Sequence, residues 1–212
     1  MRIRPSIRGD HRFVYNDVVV RKRSTLPHWD VRDGIYFITI CLANAFPQSM
    51  DETLAAFRHA RDGADDPRRE ELLQQLESSL DEGHGSCWLA RPDLATLVST
   101  ALKHFDGARY RLGSYSVMPN HVHAVYRSMP QWPLSSVMHS WKSFTSKEAN
   151  RLLNRTGQFW QEDYFDRLMR TRRELEQTTQ YVMNNPAAAG LVDWKWVESF
   201  GVERLLSGEG GA

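Results

Sequence analysis

The stretch ARYRLGSYSVMPNHVHAVYRSM, residues 108–129, constrains the fold more than any other part of this chain. Two runs dense in β-branched and aromatic residues flank Pro119–Asn120, a pair suited to a tight reversal, so the simplest reading is an antiparallel hairpin. Upstream, GIYFITICLAN (34–44) reads as a buried core strand, and downstream DYFDRLMRT (163–171) reads as another strand.

Three amphipathic helices separate or follow these strands. PDLATLVSTALKHFD (92–106) opens with Pro92 and repeats apolar residues at Leu94, Leu97, Val98, Ala101, Leu102 and Phe105. PLSSVMHSWKSFTSKEANRLLNRTG (133–157) is opened by Pro133 and stopped by Gly157. RRELEQTTQYVMNN (172–185) is expected to end near Asn184, because the residue before Pro186 avoids helical torsions. The order strand, helix, strand, strand, helix, strand, helix suits a split β-α-β unit. The expected fold is therefore α+β, an antiparallel sheet with helices packed on one face and the other face open for a site.

At 212 residues the chain is long enough for one core with additions. Residues 1–33 read as a basic arm with a short strand at FVYNDVVV, 34–193 as the main domain, and 194–212 as a tail. Within the domain, 48–85 reads as an acidic insertion holding a helix over PRREELLQQLESSLDEG, with Leu72, Leu73, Leu76 and Leu80 as its apolar stripe. The net charge of +1 hides this segregation: twelve basic against five acidic residues over 101–173, and five against eleven over 48–93. Basic charge gathered in one segment suits a polyphosphate partner, although a solvated basic surface accounts for it equally well. No apolar run spans a bilayer and the N-terminus has no apolar leader core, so a cytoplasmic location and no membrane partner are expected. Cys41 and Cys87 form no C-x-x-C pair and read as buried small apolar residues rather than a disulfide.

His121 and His123 share one face of their strand, with imidazoles about 7 Å apart at the backbone, while Val122 and Ala124 share the other. Such a pair can converge on one divalent ion, but a bare H-x-H is more often two partly exposed surface histidines. An ion held this way wants a third ligand, and the next position on that face is Val125, so the ligand has to come from elsewhere. On the last helix Gln177, Tyr181 and Asn185 recur every four residues, beside a stripe of Leu175, Thr178 and Val182 that can pack on a sheet. A phenol there is either a surface tyrosine or, beside a metal that polarises a phosphodiester, a nucleophile for phosphorus.

MPNHVHAVY, PLSSVMHSWKSFTSKEANRLL, GQFWQEDYFDRLMR and ELEQTTQYVMNNPAAAGLV, in that order, resemble the single-tyrosine HUH transposases of the IS200 type, and within them the REP-associated tyrosine transposases. The resemblance covers 34–44 and 92–193. It implies the ferredoxin-like sheet of the HUH endonuclease fold, His121 and His123 as the metal pair, Tyr181 as nucleophile and Asn185 as an amide ligand from the same helix. It further implies Mg²⁺ or Mn²⁺ as cofactor, and single-stranded DNA with a REP-like hairpin as partner. The implied chemistry is cleavage and rejoining through a 5′-phosphotyrosine, in a monomer or a homodimer. A catalytically silent hairpin-binding descendant is the alternative function. Single strands are held by basic grooves with aromatic platforms, which makes Lys142, Ser143, Thr145, Lys147, Trp160, Arg167, Arg170 and Arg172 the candidate DNA contacts. Trp141, Phe144 and Phe159 are expected to serve core packing instead.

Overall fold

The computed structural model describes residues 7–8, 12–13, 15, 18–22, 27–59 and 67–207. Its centre is a five-stranded antiparallel sheet of β5 (Ile35–Cys41), β6 (Tyr110–Val117), β7 (His121–Ser128), β8 (Phe165–Leu168) and β9 (Val197–Ser199), in the order β8-β5-β7-β6-β9. The first and third of the four main strands sit in the middle, the ferredoxin-like arrangement, and the β6–β7 hairpin forms as expected.

The strand period decides what each face buries. Tyr36, Ile38 and Ile40 of β5 and Val122, Ala124 and Tyr126 of β7 share a core with Leu94, Val98 and Leu102 of α3 (Pro92–His104) and Val137, Met138 and Trp141 of α4 (Leu134–Leu152). Each such fully buried large side chain contributes roughly 1.5–3 kcal/mol. The polar atoms of this layer are partly chained together: Trp141 Nε1 donates to Tyr110 Oη at 2.8 Å, and Tyr110 Oη donates to the Leu102 carbonyl at 2.8 Å.

The opposite face is not bare. There Ile35, Phe37 and Val125 pack against Leu175 and Val182 of α5 (Arg172–Ala188) and Leu205 of α6 (Val202–Leu206). Helices α3 and α4 thus occupy one face as expected, while the apolar stripe of α5 finds its cover on the other. Pro186 does not end α5 near Asn184, for the helix runs on to Ala188. The proline ring forfeits one backbone bond, but Asn185 and Pro186 are buried, and the Asn185 and Pro186 carbonyls accept from the N–H groups of Ala189 and Leu191. Helix α4 stops at Leu152, short of Gly157, where Asn154 takes a left-handed φ of 49°.

The segments read as additions are built into this frame. The region after 193 supplies strand β9 and helix α6, so it is part of the sheet and of the second core rather than a tail. A Cβ on Gly113 would lie 2.4 Å from Leu205 Cδ1, so glycine at this β6 irregularity lets α6 close. The insertion contains two helices, α1 (Asp51–His59) and α2 (Pro67–Asp81), of which only the second was expected. Strands β1 (Ile7–Arg8), β2 (Arg12–Phe13), β3 (Val18–Lys22) and β4 (Pro27–Val31) pair as two short hairpins. His28 on β4 meets Asp166 of β8 at 2.5 Å and stacks on Tyr164, joining the N-terminal region to the sheet edge. Cys41 is buried and Cys87 half-buried, both free.

Candidate active site

His121 and His123 project from β7 onto the face that carries α5, and both are fully buried. Their Nε2 atoms lie 3.0 Å apart. Asn120 sets the proton position on the first ring. Its Nδ2 donates to the carbonyls of Leu80 and His84, each at 3.1 Å, which leaves Oδ1 to accept from His121 Nδ1 at 2.7 Å. His121 therefore carries its proton on Nδ1 and turns a lone pair inward from Nε2. His123 Nδ1 meets the Thr39 hydroxyl at 2.9 Å. A hydroxyl can donate or accept, so His123 is free to give an Nε2 proton to His121 or to present a second lone pair. Burial holds both rings in the neutral, ligand-competent form, lowering the pKa of His121 to about 3 and that of His123 well below its usual value, with the neighbouring His121 adding to the effect on His123.

Tyr181 reaches this pair from α5 of the same chain, its hydroxyl 3.4 Å from His123 Nε2. Phe37 fixes the approach: its ring stacks on His123 at 5.2 Å and meets the Tyr181 ring edge-on at 6.0 Å. Burial pushes the phenol above its usual range, the Glu77 and Asp81 carboxylates push further, and Arg167 opposes them. One turn on, Asn185 is 2% exposed; its Nδ2 donates to Asp81 Oδ1 at 3.2 Å and its Oδ1 has no protein partner. Asp81, the last residue of α2, stands 4.0 Å from His121 Nε2.

These atoms fit a divalent cation. Two imidazole nitrogens 3.0 Å apart match the edge that adjacent ligands of an octahedral ion subtend at a bond length of about 2.1 Å. The orphaned Asn185 Oδ1 is a hard oxygen donor with no other use in the fold. Among the described residues no three His, Cys, Asp or Glu side chains are gathered tightly enough to hold an ion by themselves.

The candidate DNA contacts divide between the two faces. Arg167, on β8, lies on the Tyr181 side, with Nη2 donating to Thr178 Oγ1 at 3.1 Å and the guanidinium 5.6 Å from the centre of the Phe37 ring. Arg170 follows that strand, its backbone N–H bonded to Glu174 Oε2. Arg172 is engaged by Glu176 at 2.8 Å and by Glu203. Lys142 and Ser143, on α4 across the sheet, line a groove of about 1050 Å³, where the Lys142 ammonium donates to the Glu162 carbonyl at 2.5 Å. Lys147 is exposed on the same helix. Thr145 and Trp160 are corrected as open surfaces: both are buried, with Trp160 Nε1 donating to Thr145 Oγ1 at 2.9 Å, though Trp160 still lines the groove beside Lys142. Phe144 is corrected too, being 52% exposed, while Trp141 and Phe159 lie in the core as expected.

Three residues of the site escaped the sequence reading. Asn120 was taken up by the turn, Thr39 showed only as a polar break in an apolar strand, and Asp81 has no local signal at all. Residues 91–185, which include both histidines, Tyr181 and Asn185, match the family model for IS200-like transposases. No curated protein matches the chain. A solved REP-associated tyrosine transposase bound to a REP hairpin is similar over 80% of this chain and 79% of its own, at 15% identity and a TM-score of 0.45.

Proposed function

We propose that this chain is a metal-dependent endonuclease and transesterase acting on single-stranded DNA in the cytoplasm, cutting and rejoining it beside REP-like hairpins through a 5′-phosphotyrosine at Tyr181. The observation that carries the reading is the Tyr181 hydroxyl 3.4 Å from His123 Nε2, within one chain. His121, His123 and the Asn185 amide oxygen would hold the ion, which when bound as Mg²⁺ or Mn²⁺ polarises the scissile phosphate. Tyr181 oxygen then forms the bond to phosphorus as the bond to the 3′ oxygen breaks; the phenol loses a proton and the departing 3′ hydroxyl gains one. Rejoining is the reverse displacement by a hydroxyl, and the phosphotyrosine conserves the bond energy it needs. Arg167, on the same face, suits a phosphate neighbouring the scissile one. A complete set supplied by one polypeptide supports a centre that needs no second subunit.

A hairpin-bearing oligonucleotide incubated with Mn²⁺ is expected to give a covalent protein–DNA adduct that resists denaturation, and Tyr181→Phe is expected to remove it while leaving binding within about twofold of the parent. Binding without adduct across several hairpins and ions would instead support the silent descendant, and an adduct surviving Tyr181→Phe would refute the nucleophile.

A further inference from the structure

Helix α2 lies outside the segment that matches the transposase family, yet its C-terminal end is fastened to the histidine pair. Asn120 makes the fastening: one amide bonds the Leu80 and His84 carbonyls with its nitrogen and His121 Nδ1 with its oxygen. Leu80 is itself 2% exposed, so the end of the helix is seated in the core rather than resting on the surface. Between those two carbonyls sits Asp81, whose carboxylate is 4.0 Å from His121 Nε2 and 3.2 Å from the Asn185 amide nitrogen.

We propose that Asp81 is a fourth ligand of the cation site, delivered by the inserted helix to stand with His121, His123 and Asn185. The inference rests on the reading of the site given above and extends it. Two separate observations carry it. The first is distance: the carboxylate oxygen stands 4.0 Å from His121 Nε2, within reach of an ion bound to that nitrogen. The second is the orientation of Asn185. By accepting from Nδ2, the Asp81 carboxylate leaves the amide oxygen, 2% exposed and without a protein partner, as the atom that remains for a ligand. Charge completes the argument. Two imidazoles and an amide bring no negative charge to a divalent ion, whereas hard ions such as Mg²⁺ and Mn²⁺ favour carboxylate oxygen.

The test is binding of Mn²⁺ alone to DNA-free protein, read as the loss of the free-ion electron paramagnetic resonance signal, for the parent, Asp81→Asn, Asp81→Ala and His121→Ala. Asp81→Asn keeps an oxygen to accept from Asn185 but removes the charge, and is expected to weaken binding by roughly tenfold or more. His121→Ala is expected to abolish it. Melting in chelator verifies that each variant is folded, and Asp81→Asn carries the result if Asp81→Ala does not fold. Parent-like affinity in Asp81→Asn, with His121→Ala lost, overturns the proposal and leaves the histidine site standing. Weakening by Asp81→Ala alone also overturns it, reducing Asp81 to a residue that orients the amide. Affinity unaffected by His121→Ala overturns the cation reading itself, and the role of Asp81 with it.

Discussion

On β7, Val122, Ala124 and Tyr126 point toward α3 and α4, whereas His121, His123 and Val125 point toward α5 and α6. The first side is a broad apolar core in which Tyr126 Oη is buried without a protein partner. The second leaves Ser114 Oγ, Ser116 Oγ and Asn185 Oδ1 buried without protein partners around two neutral imidazoles. A buried polar atom left unbonded costs about 1–3 kcal/mol. The same strands thus stabilise the domain through one face and carry groups ready for a ligand on the other.

The strongest challenge to that division is a pair of substitutions across the sheet. Leu102→Ala, on the apolar side, is expected to lower stability by about 2–5 kcal/mol and leave Mn²⁺ affinity at the parental level. His123→Leu is expected to abolish ion binding while changing stability in chelator by less than half as much. Chemical denaturation and ion titration of both proteins check this, and a large stability loss in His123→Leu would erase the contrast.

Acid sharpens it next. In the metal-free folded protein His121 stays neutral down to about pH 3, whereas in the unfolded chain it protonates near 6.5. Between those values the unfolded state binds more protons, so stability is fully present above 6.5 and is lost as pH falls toward 3. The slope is up to about 1.4 kcal/mol per pH unit for each histidine. His123 shifts in the same direction, and melting curves of the chelated protein at successive pH values should flatten in His123→Leu.

The smallest effects separate the contacts proposed for DNA. Thr145→Val orphans the buried Trp160 indole N–H and is expected to cost about 1–3 kcal/mol of stability, with DNA affinity changing no more than the loss of folded protein explains. Lys147→Ala is expected to leave stability within about 0.5 kcal/mol and to weaken hairpin binding a few-fold at low salt, measured by fluorescence anisotropy.

Much of the frame and part of the site could be read from the residues themselves. Alternation along HVHAVY places both histidines on one side of a strand, and the four-residue spacing from Tyr181 to Asn185 places phenol and amide on one side of a helix. Those are consequences of local backbone geometry. The burial of Thr145 and Trp160, and the exposure of Phe144, were not readable, because helical and loop spacing says which residues share a face but not what lies against it.

What the sequence by itself determined is the main strands and helices of the central domain and the direction of each side chain about its own axis, but not α1, β9 or α6. Tertiary structure alone decided that α5 crosses the histidine side of the sheet, that Asn120 ties the inserted helix to His121, and that Asp81 meets an amide 104 positions away. Local propensity acts over a few residues. Contacts between distant segments follow from how apolar stripes are covered when the whole chain closes, and the site lies where those coverings meet.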